Sequence, residues 1–544
     1  MSGGLVASAD AQATRAGVAA LADGGNAADA ALATSAAMAV VAPHLCGMGG
    51  DVFALVARDG RVEALDAAGR APSGADAAAM RAEGLREMPM RGDLRAVTVP
   101  GAVAGWVELH RRHCTMPLAR LLAPAIELAE RGFAASPLLV GALGAVPAAH
   151  TAGFADIAAQ ARAAGARSTR PPVGAARRAS AAGARAGGDA GARGAREAHY
   201  LGAFGRGLRA MAPQLYAESD LAAARADWVA PLSLDAWDVR LWSMPAPSQG
   251  YLWLAAAAGA AALGDELPDD PDDPRWAHAL VELSTAVGHD RPEALWDGAD
   301  LAGRLGGLVD RCRTVASGGL VDPARASARP MRGADGDTTY LCAMDDSGMG
   351  VSLINSNASG LGSLLVEPST GINLHNRGLG FSLAAGHPAE YRPGAAPPHT
   401  LCPGLVTSAD DAQECRAVLG TMGGDAQPQI VLQLLARLFG RGAGPLDAAR
   451  VAAAVDAGRW ALRGPSTGFD TWTSGRAPTV QVEGDAPARW ADGLAALGHE
   501  VERRGARDSG FGHAHVVARG ADGALVGAAD PRCVVGACAP GAGA

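Results

Sequence analysis

Residues 321–356 read VDPARASARPMRGADGD and then, from Thr338, TTYLCAMDDSGMGVSLINS. The first part is rich in Ala, Arg, Gly and Asp and predicts a flexible, exposed stretch over 321–337. The second part changes character at once. TTYLCAMDD and VSLINS predict two strands joined by the turn SGMG, so a hydroxyl residue opens a β-hairpin directly behind a linker.

Outward from this point, the rest of the chain reads as mixed α/β layers. Residues 13–22 and 27–41 are Ala-rich helical runs separated by DGGN, where Gly24 and Gly25 end one helix and Asn26 caps the next. After CGMGGD, the runs VFALVA and RVEALDA flank the turn RDG and predict a second hairpin. Apolar residues recur at helical spacing from Leu118 to Arg131. Between 158 and 197 the pattern dissolves into Ala, Gly and Arg, which predicts a flexible insertion.

Composition sets limits on the chemistry. The chain has 544 residues, 49% hydrophobic and 19% charged, enough to bury a sizeable core. All 47 basic residues are Arg and none is Lys, which excludes Schiff-base chemistry, pyridoxal phosphate attachment, a phosphate-loop lysine and Ser/Lys dyads. The only amines are N-terminal ones. A net charge of −9 without a basic face excludes nucleic acid as an expected partner. The eight Cys lack a C-x-x-C pair and are expected to be reduced and mostly buried. No secretory pattern opens the sequence and no run of about 18 apolar residues is uninterrupted, so a cytoplasmic protein without a membrane partner is expected. His513 and His515, two apart, would share one face of a strand, but no third ligand is in view, and neither metal nor cofactor is expected.

A threonine hydroxyl needs a base beside it to act as a nucleophile, and a free α-amine on the same residue has a pKa near neutrality. Cleavage between Asp337 and Thr338 would create that amine. An acyl-transfer site also needs N–H donors for the developing oxyanion, and TMGGDAQPQ supplies Gly423 and Gly424, where the backbone can approach a ligand. A Gly pair alone is weak evidence, since GMGGD occurs again at 47–51.

These segments, in order along the chain, resemble the γ-glutamyltranspeptidase family and its acylase relatives, N-terminal-nucleophile (Ntn) hydrolases. The similarity runs through GLVASADAQATRAGVAALADGGNAADAALA, VTVPGAVAGWVELHRRHCTMPLARLLAPAIELAERGF, GDTTYLCAMDDSGMGVSLINSNASGLGS, GINLHNRGLGFSL, PPHTLCPGLV, MGGDAQPQIVLQLL and GAADPR. It implies a four-layer αββα sandwich built from two chains of one precursor, 1–337 and 338–544, which associate after self-cleavage. Thr338 matches the family's nucleophile, Ser356 the position of a supporting hydroxyl, and Gly423 and Gly424 the oxyanion glycines. His399 and Thr400 fall where two serines hold the donor's α-carboxylate.

The departures bear on the substrate. The family's carboxylate-binding arginine aligns with Ala68, leaving Arg70 two residues on as the candidate. The groups that hold the donor's amine align with Ala358, Arg377 and Gly380, so an ammonium would meet a cation at Arg377. The implied activity is therefore hydrolysis in preference to transfer, on a γ-glutamyl or glutaryl-like amide, nearer the hydrolase and acylase members. Two alternatives stand beside it: a cephalosporin or glutaryl acylase-type amidase, and an uncleaved, non-catalytic homologue that acts in binding. A bland reading also attaches to each residue. Arg377 can salt-bridge the fold, Ser356 can bond only a neighbouring strand, and Arg70 can be exposed.

Overall fold

In the computed structural model, which describes residues 3–150, 153–154, 191–327, 338–410, 414–463 and 478–541, the predicted hairpin comprises Thr339–Asp345 and Gly350–Ser356. They pair antiparallel from Thr339↔Asn355 to Met344↔Gly350. Every residue of both strands is buried, so neither face alternates into water and the hairpin lies at the centre of a sheet covered on both sides. The period of two persists as a choice between two cores. Tyr340, Cys342, Met344 and Ile354 face one apolar cluster, while Leu341, Ala343, Val351 and Leu353 face another.

That sheet has seven antiparallel strands in the spatial order Ala537–Pro540, Gly4–Ser8, Thr339–Asp345, Gly350–Ser356, Asp51–Arg58, Arg61–Ala67 and Asp227–Val229. A second antiparallel sheet has six, in the order Leu525–Ala529, Ala514–Arg519, Cys415–Thr421, Gly404–Ser408, Val239–Ser243 and Leu232–Ala236. The sheets meet face to face over Leu5, Phe53, Tyr340, Met344, Leu405, Val418 and Val517. Helices cover both outer faces. Ala11–Ala22, Ala27–Val41 and Ala102–His113 pack on the first sheet, Tyr251–Ala262 and Gln427–Phe439 on the second, and Pro274–Gly288 packs against those last two helices. This is the αββα sandwich.

The predicted helical pair begins and ends close to where its caps place it. Asn26 accepts from the Ala28 and Asp29 N–H groups while Asp29 accepts from the Asn26 N–H, a reciprocal capping box. The Leu118–Arg131 helix and the Asp51–Arg58/Arg61–Ala67 hairpin also match expectation. All eight Cys are free, six of them buried.

Two expectations of flexibility are corrected. The insertion read as 158–197 ends in a helix, Gly191–Tyr200, because this segment has a place to bury apolar groups and satisfy polar ones. Ala195 and Tyr200 are buried, the Tyr200 hydroxyl donates to the Pro100 carbonyl at 2.6 Å, and Arg196 Nε donates to the Ala224 carbonyl. Residues 158–190 lie outside the described residues. The stretch read as 321–337 is anchored over 321–327. Val321 bridges Thr314, the Ala326 N–H donates to the Leu497 carbonyl at 2.8 Å, and the Ser327 N–H donates to Glu282 Oε1 at 3.0 Å. Residues 328–337 lie outside the described residues.

Gly420 of the second sheet lies against Tyr340 of the first, and a Cβ there would lie 2.5 Å from the Tyr340 ring. Gly420→Val should therefore force the sheets apart and cost roughly 1–3 kcal/mol. Gly141, in an α-helix with open space around its Cβ position, should accept Ala with unchanged or slightly raised stability. Urea midpoints of the two variants check the contrast; equal midpoints would show that Gly420 does not set the sheet spacing.

Candidate active site

The ends of three central strands of the first sheet meet side by side. Thr339 lies opposite Asn355, which brings Thr338 beside Ser356, and Ser356 lies opposite Asp51 on the next strand. Thr338 is fully buried, with its Oγ1 2.9 Å from Ser356 Oγ. Ser356 Oγ also accepts from the Ala358 N–H at 2.9 Å and from Arg377 Nη2 at 3.1 Å. A hydroxyl has two lone pairs and one proton. Either hydroxyl can donate in the Thr338–Ser356 bond, and the two N–H donors hold Ser356 Oγ in place. The Ala358 N–H reaches back because Ala358 adopts φ +74°, a left-handed conformation unusual for a residue with a side chain.

Arg377 continues the network. Its Nη1 donates to Thr400 Oγ1 at 2.9 Å, so one buried guanidinium joins the Thr400 and Ser356 hydroxyls. Burial lowers its pKa to about 10, against the opposing pull of Asp51 and Asp425, and it stays a cation at neutral pH. Gln249 clips the next segment on, donating from Nε2 to the Thr400 carbonyl at 2.9 Å and to the Gly424 carbonyl at 3.0 Å. Gly423 and Gly424 leave the end of the Cys415–Thr421 strand with φ of +131° and +55°, values that favour glycine. Asp425, next in sequence, forms a buried ion pair with Arg291 at 3.3 Å.

His399 faces away from this hydroxyl chain. Its Nε2 is 3.2 Å from Asp51 Oδ2 and its ring packs against Phe53 with centroids 4.5 Å apart. Burial, and then the Arg377 charge, lower it to about 3, so it is neutral. Asp51 is the hub. Oδ1 accepts from the Gly69 N–H at 2.9 Å and the Gly101 N–H at 3.0 Å, and Oδ2 faces both His399 and His375. Burial alone would raise its carboxyl, but His375, the His399 hydrogen bond and Arg377 outweigh burial and hold it at about 2.

Thr338, Ser356, Arg377, Thr400, Gly424 and His399 are thus drawn together by bonds or by adjacency, with Gly423 beside Gly424. Arg70 is not. Its guanidinium pairs with Asp297 at 2.9 Å and donates to the Gly394 carbonyl at 3.1 Å, at a partly exposed position. His513 and His515 take separate partners, Ser509 Oγ at 2.8 Å and the Asp530 N–H at 3.3 Å. Asp337 lies outside the described residues. Sequence reasoning missed Asp51, Gln249 and His375. A signal existed for the first, because Asp51 follows a Gly pair in GMGGD as Asp425 does in MGGD.

A double sheet between helical layers, with a hydroxyl pair at the end of its central hairpin, defines the class of N-terminal-nucleophile amidohydrolases. Residues 13–539 match the Gamma-glutamyltranspeptidase family, and the chain belongs to it. It is 34% identical over 536 residues to the oxamate amidohydrolase proenzyme of Klebsiella pneumoniae, covering 96% of this chain and 95% of that one. It is 29% identical over 536 residues to the glutathione hydrolase-like YwrD proenzyme of Bacillus subtilis, with 96% and 95% covered. The crystal structure of cephalosporin acylase from Bacillus halodurans superposes with a TM-score of 0.82 at 29% identity, over 99% of this chain and 96% of that one. Among the described residues no helix is long and apolar enough to cross a membrane.

Replacing the hub tests its weight. Asp51→Ala strands two buried N–H groups and an imidazole, and should cost about 3–5 kcal/mol. Because the folded carboxyl titrates below its ordinary value of 3.8, its contribution is complete above about pH 4 and is lost as the pH falls toward 2. Wild-type and variant denaturation midpoints should therefore converge between pH 4 and 2; a gap constant over that range would refute the assignment.

Proposed function

We propose that the chain cuts itself between Asp337 and Thr338, and that residues 338–544 then carry the nucleophile while residues 1–337 remain bound. The observation that carries this reading is the buried Thr338 hydroxyl, 2.9 Å from Ser356 Oγ, at the head of the central hairpin. The α-amine that the cut frees on Thr338 is the base that takes the hydroxyl proton. The Ser356 hydroxyl, 2.9 Å away, can turn its proton toward Oγ1 and stabilise negative charge as it grows there. Thr338 attacks the amide carbonyl, the oxyanion is met by N–H groups around Gly423 and Gly424, and water releases the acyl group. Association after the cut is supported by sheet order. Thr339–Asp345 lies between Gly4–Ser8 and its own hairpin partner, and Gly350–Ser356 lies against Asp51–Arg58, so strands from both sides of the cut interleave.

The substrate is an amide whose acyl part carries a carboxylate and no ammonium, with hydrolysis preferred to transfer. Arg377 supports this by placing a buried cation on the same Ser356 hydroxyl that contacts Thr338. Gly380 supports it sterically. A Cβ there would lie 2.3 Å from the Pro398 carbonyl oxygen, so an acid cannot stand where the family holds the donor's amine. Oxamate, the substrate in the Klebsiella relative's name, has this chemistry: an amide, a carboxylate and no α-amine.

Thr338→Ala should give a single full-length chain without amidase activity, whereas wild type should give bands of roughly 34 and 21 kDa on a denaturing gel. Thr338→Ser should still cleave, more slowly. Two bands from Thr338→Ala would refute the nucleophile, and a single inactive band from wild type would favour a non-catalytic homologue.

Substrate choice is read in kcat/KM, which measures discrimination at the transition state. Glutaryl p-nitroanilide and oxamate should be turned over in preference to γ-glutamyl p-nitroanilide, and Arg377→Gln should reduce that preference by about tenfold or more. Preference for the γ-glutamyl compound, with transfer to glycylglycine, would restore ordinary transpeptidase specificity.

A further inference from the structure

Outside the hydroxyl network of Thr338, the helix Pro274–Gly288 carries His278 and Glu282 one turn apart, and His499, from beyond the Arg489–Ala496 helix, closes over them. One ligand atom from each of the three lies within 4.8 Å of the other two, and His278 and Glu282 are almost fully buried. His278 Nε2 is 2.8 Å from the Asp322 carbonyl, which can only accept, so Nε2 carries the proton and Nδ1 holds a lone pair. That lone pair is aimed at His499 Nε2, 2.7 Å away. A ring nitrogen fixed by a backbone carbonyl, with the other turned to a second imidazole and a carboxylate, is the arrangement in which a metal-binding histidine is held.

We propose that His278 Nδ1, His499 Nε2 and the Glu282 carboxylate form a site for a divalent transition-metal ion of the zinc type, with water in the fourth position. Two imidazoles and one carboxylate are a zinc ligand set, and ligand atoms around a tetrahedral ion stand roughly 3.4 Å apart. Opening the His278–His499 contact by less than about 1 Å makes that room, within the reach of a half-buried His499 ring. Without metal, His499 donates its Nε2 proton to His278. With metal, the His499 proton moves to Nδ1 and Nε2 becomes a ligand, so no net proton is released. Ser327, whose N–H donates to Glu282, carries a buried hydroxyl with no hydrogen-bond partner among the described residues, a group that a metal-bound water could satisfy.

The site has a structural consequence that rests on the proposed cut. His278 and Glu282 precede Thr338 and also hold Asp322 and Ser327, whereas His499 follows it. An ion there would staple the end of the first chain to the second.

The test uses full-length protein stripped with EDTA, dialysed, and titrated with zinc chloride by calorimetry, in wild type and in Thr338→Ala. We expect one equivalent bound per chain in both, because the site is assembled whether or not the chain is cut. His499→Ala and Glu282→Gln should each weaken binding by about tenfold to a hundredfold, and cobalt(II) should give the intense visible bands of four-coordination. Glu282→Gln preserves shape, so binding can be read there even where His499→Ala does not fold. No stoichiometric binding at about 50 µM zinc, or equal affinity in wild type and Glu282→Gln, overturns the site. Zinc bound by an uncut wild type would retain the site and reject the cut.

Discussion

The register between three antiparallel strands is the constraint on which the site depends. Asp51 sits opposite Ser356 and Thr339 opposite Asn355, so a carboxylate, a supporting hydroxyl and the Thr338 hydroxyl emerge side by side. A slip of one residue in either pairing would turn the whole alternation over and send Ser356 to the other face. The buried alternation prevents that slip, because Tyr340, Cys342 and Met344 fill the space between the sheets while Leu341 and Ala343 fill the space under the helices. Positional accuracy at the site is thus set by apolar packing on both sides of one hairpin.

Electrostatics then grades the groups that register brings together. Two positive or polarisable centres, Arg377 and the paired histidines, face one buried carboxylate, and the balance leaves Asp51 ionised, His399 neutral and Arg377 charged. Ser356 is the point where the two halves of the network join. It accepts from Arg377 and from the strained Ala358 backbone, and its oxygen lies 2.9 Å from Thr338 Oγ1. The chain of Thr338, Ser356, Arg377, Thr400, Gln249 and Gly424 crosses from the first sheet to the second without an intervening solvent-exposed group.

Much of this was legible in the sequence, for identifiable reasons. The break at Thr338, from a linker composition to two strand patterns, located the hairpin, and the DGGN punctuation located the first two helices. Ordered motifs carried the layer architecture. The three-dimensional partners were less accessible. Arg70 was the nearest arginine along the chain to a position lacking one, yet Asp297, remote in sequence, takes its charge. Asp51 looked like the end of one more glycine turn, because its partners at 69, 101, 375 and 399 are contacts that only folding supplies. The helix at Gly191–Tyr200 was hidden by its composition, since its anchor to Pro100 is likewise long-range.

The close approach at Gly380 limits which residues this position can accept over evolutionary time. Since the Pro398 carbonyl occupies the place of any side chain there, an acid at 380 cannot be gained by a single codon change without displacing Pro398, and with it His399 and Thr400. Those neighbours are tied to Asp51 and Arg377. A side chain at 380 is therefore compatible with this fold only if the 397–400 segment shifts with it. Placing an acid there would require coordinated change in two separate segments, and single changes would pass through a damaged network, so the small residue at 380 is easier to keep than to replace.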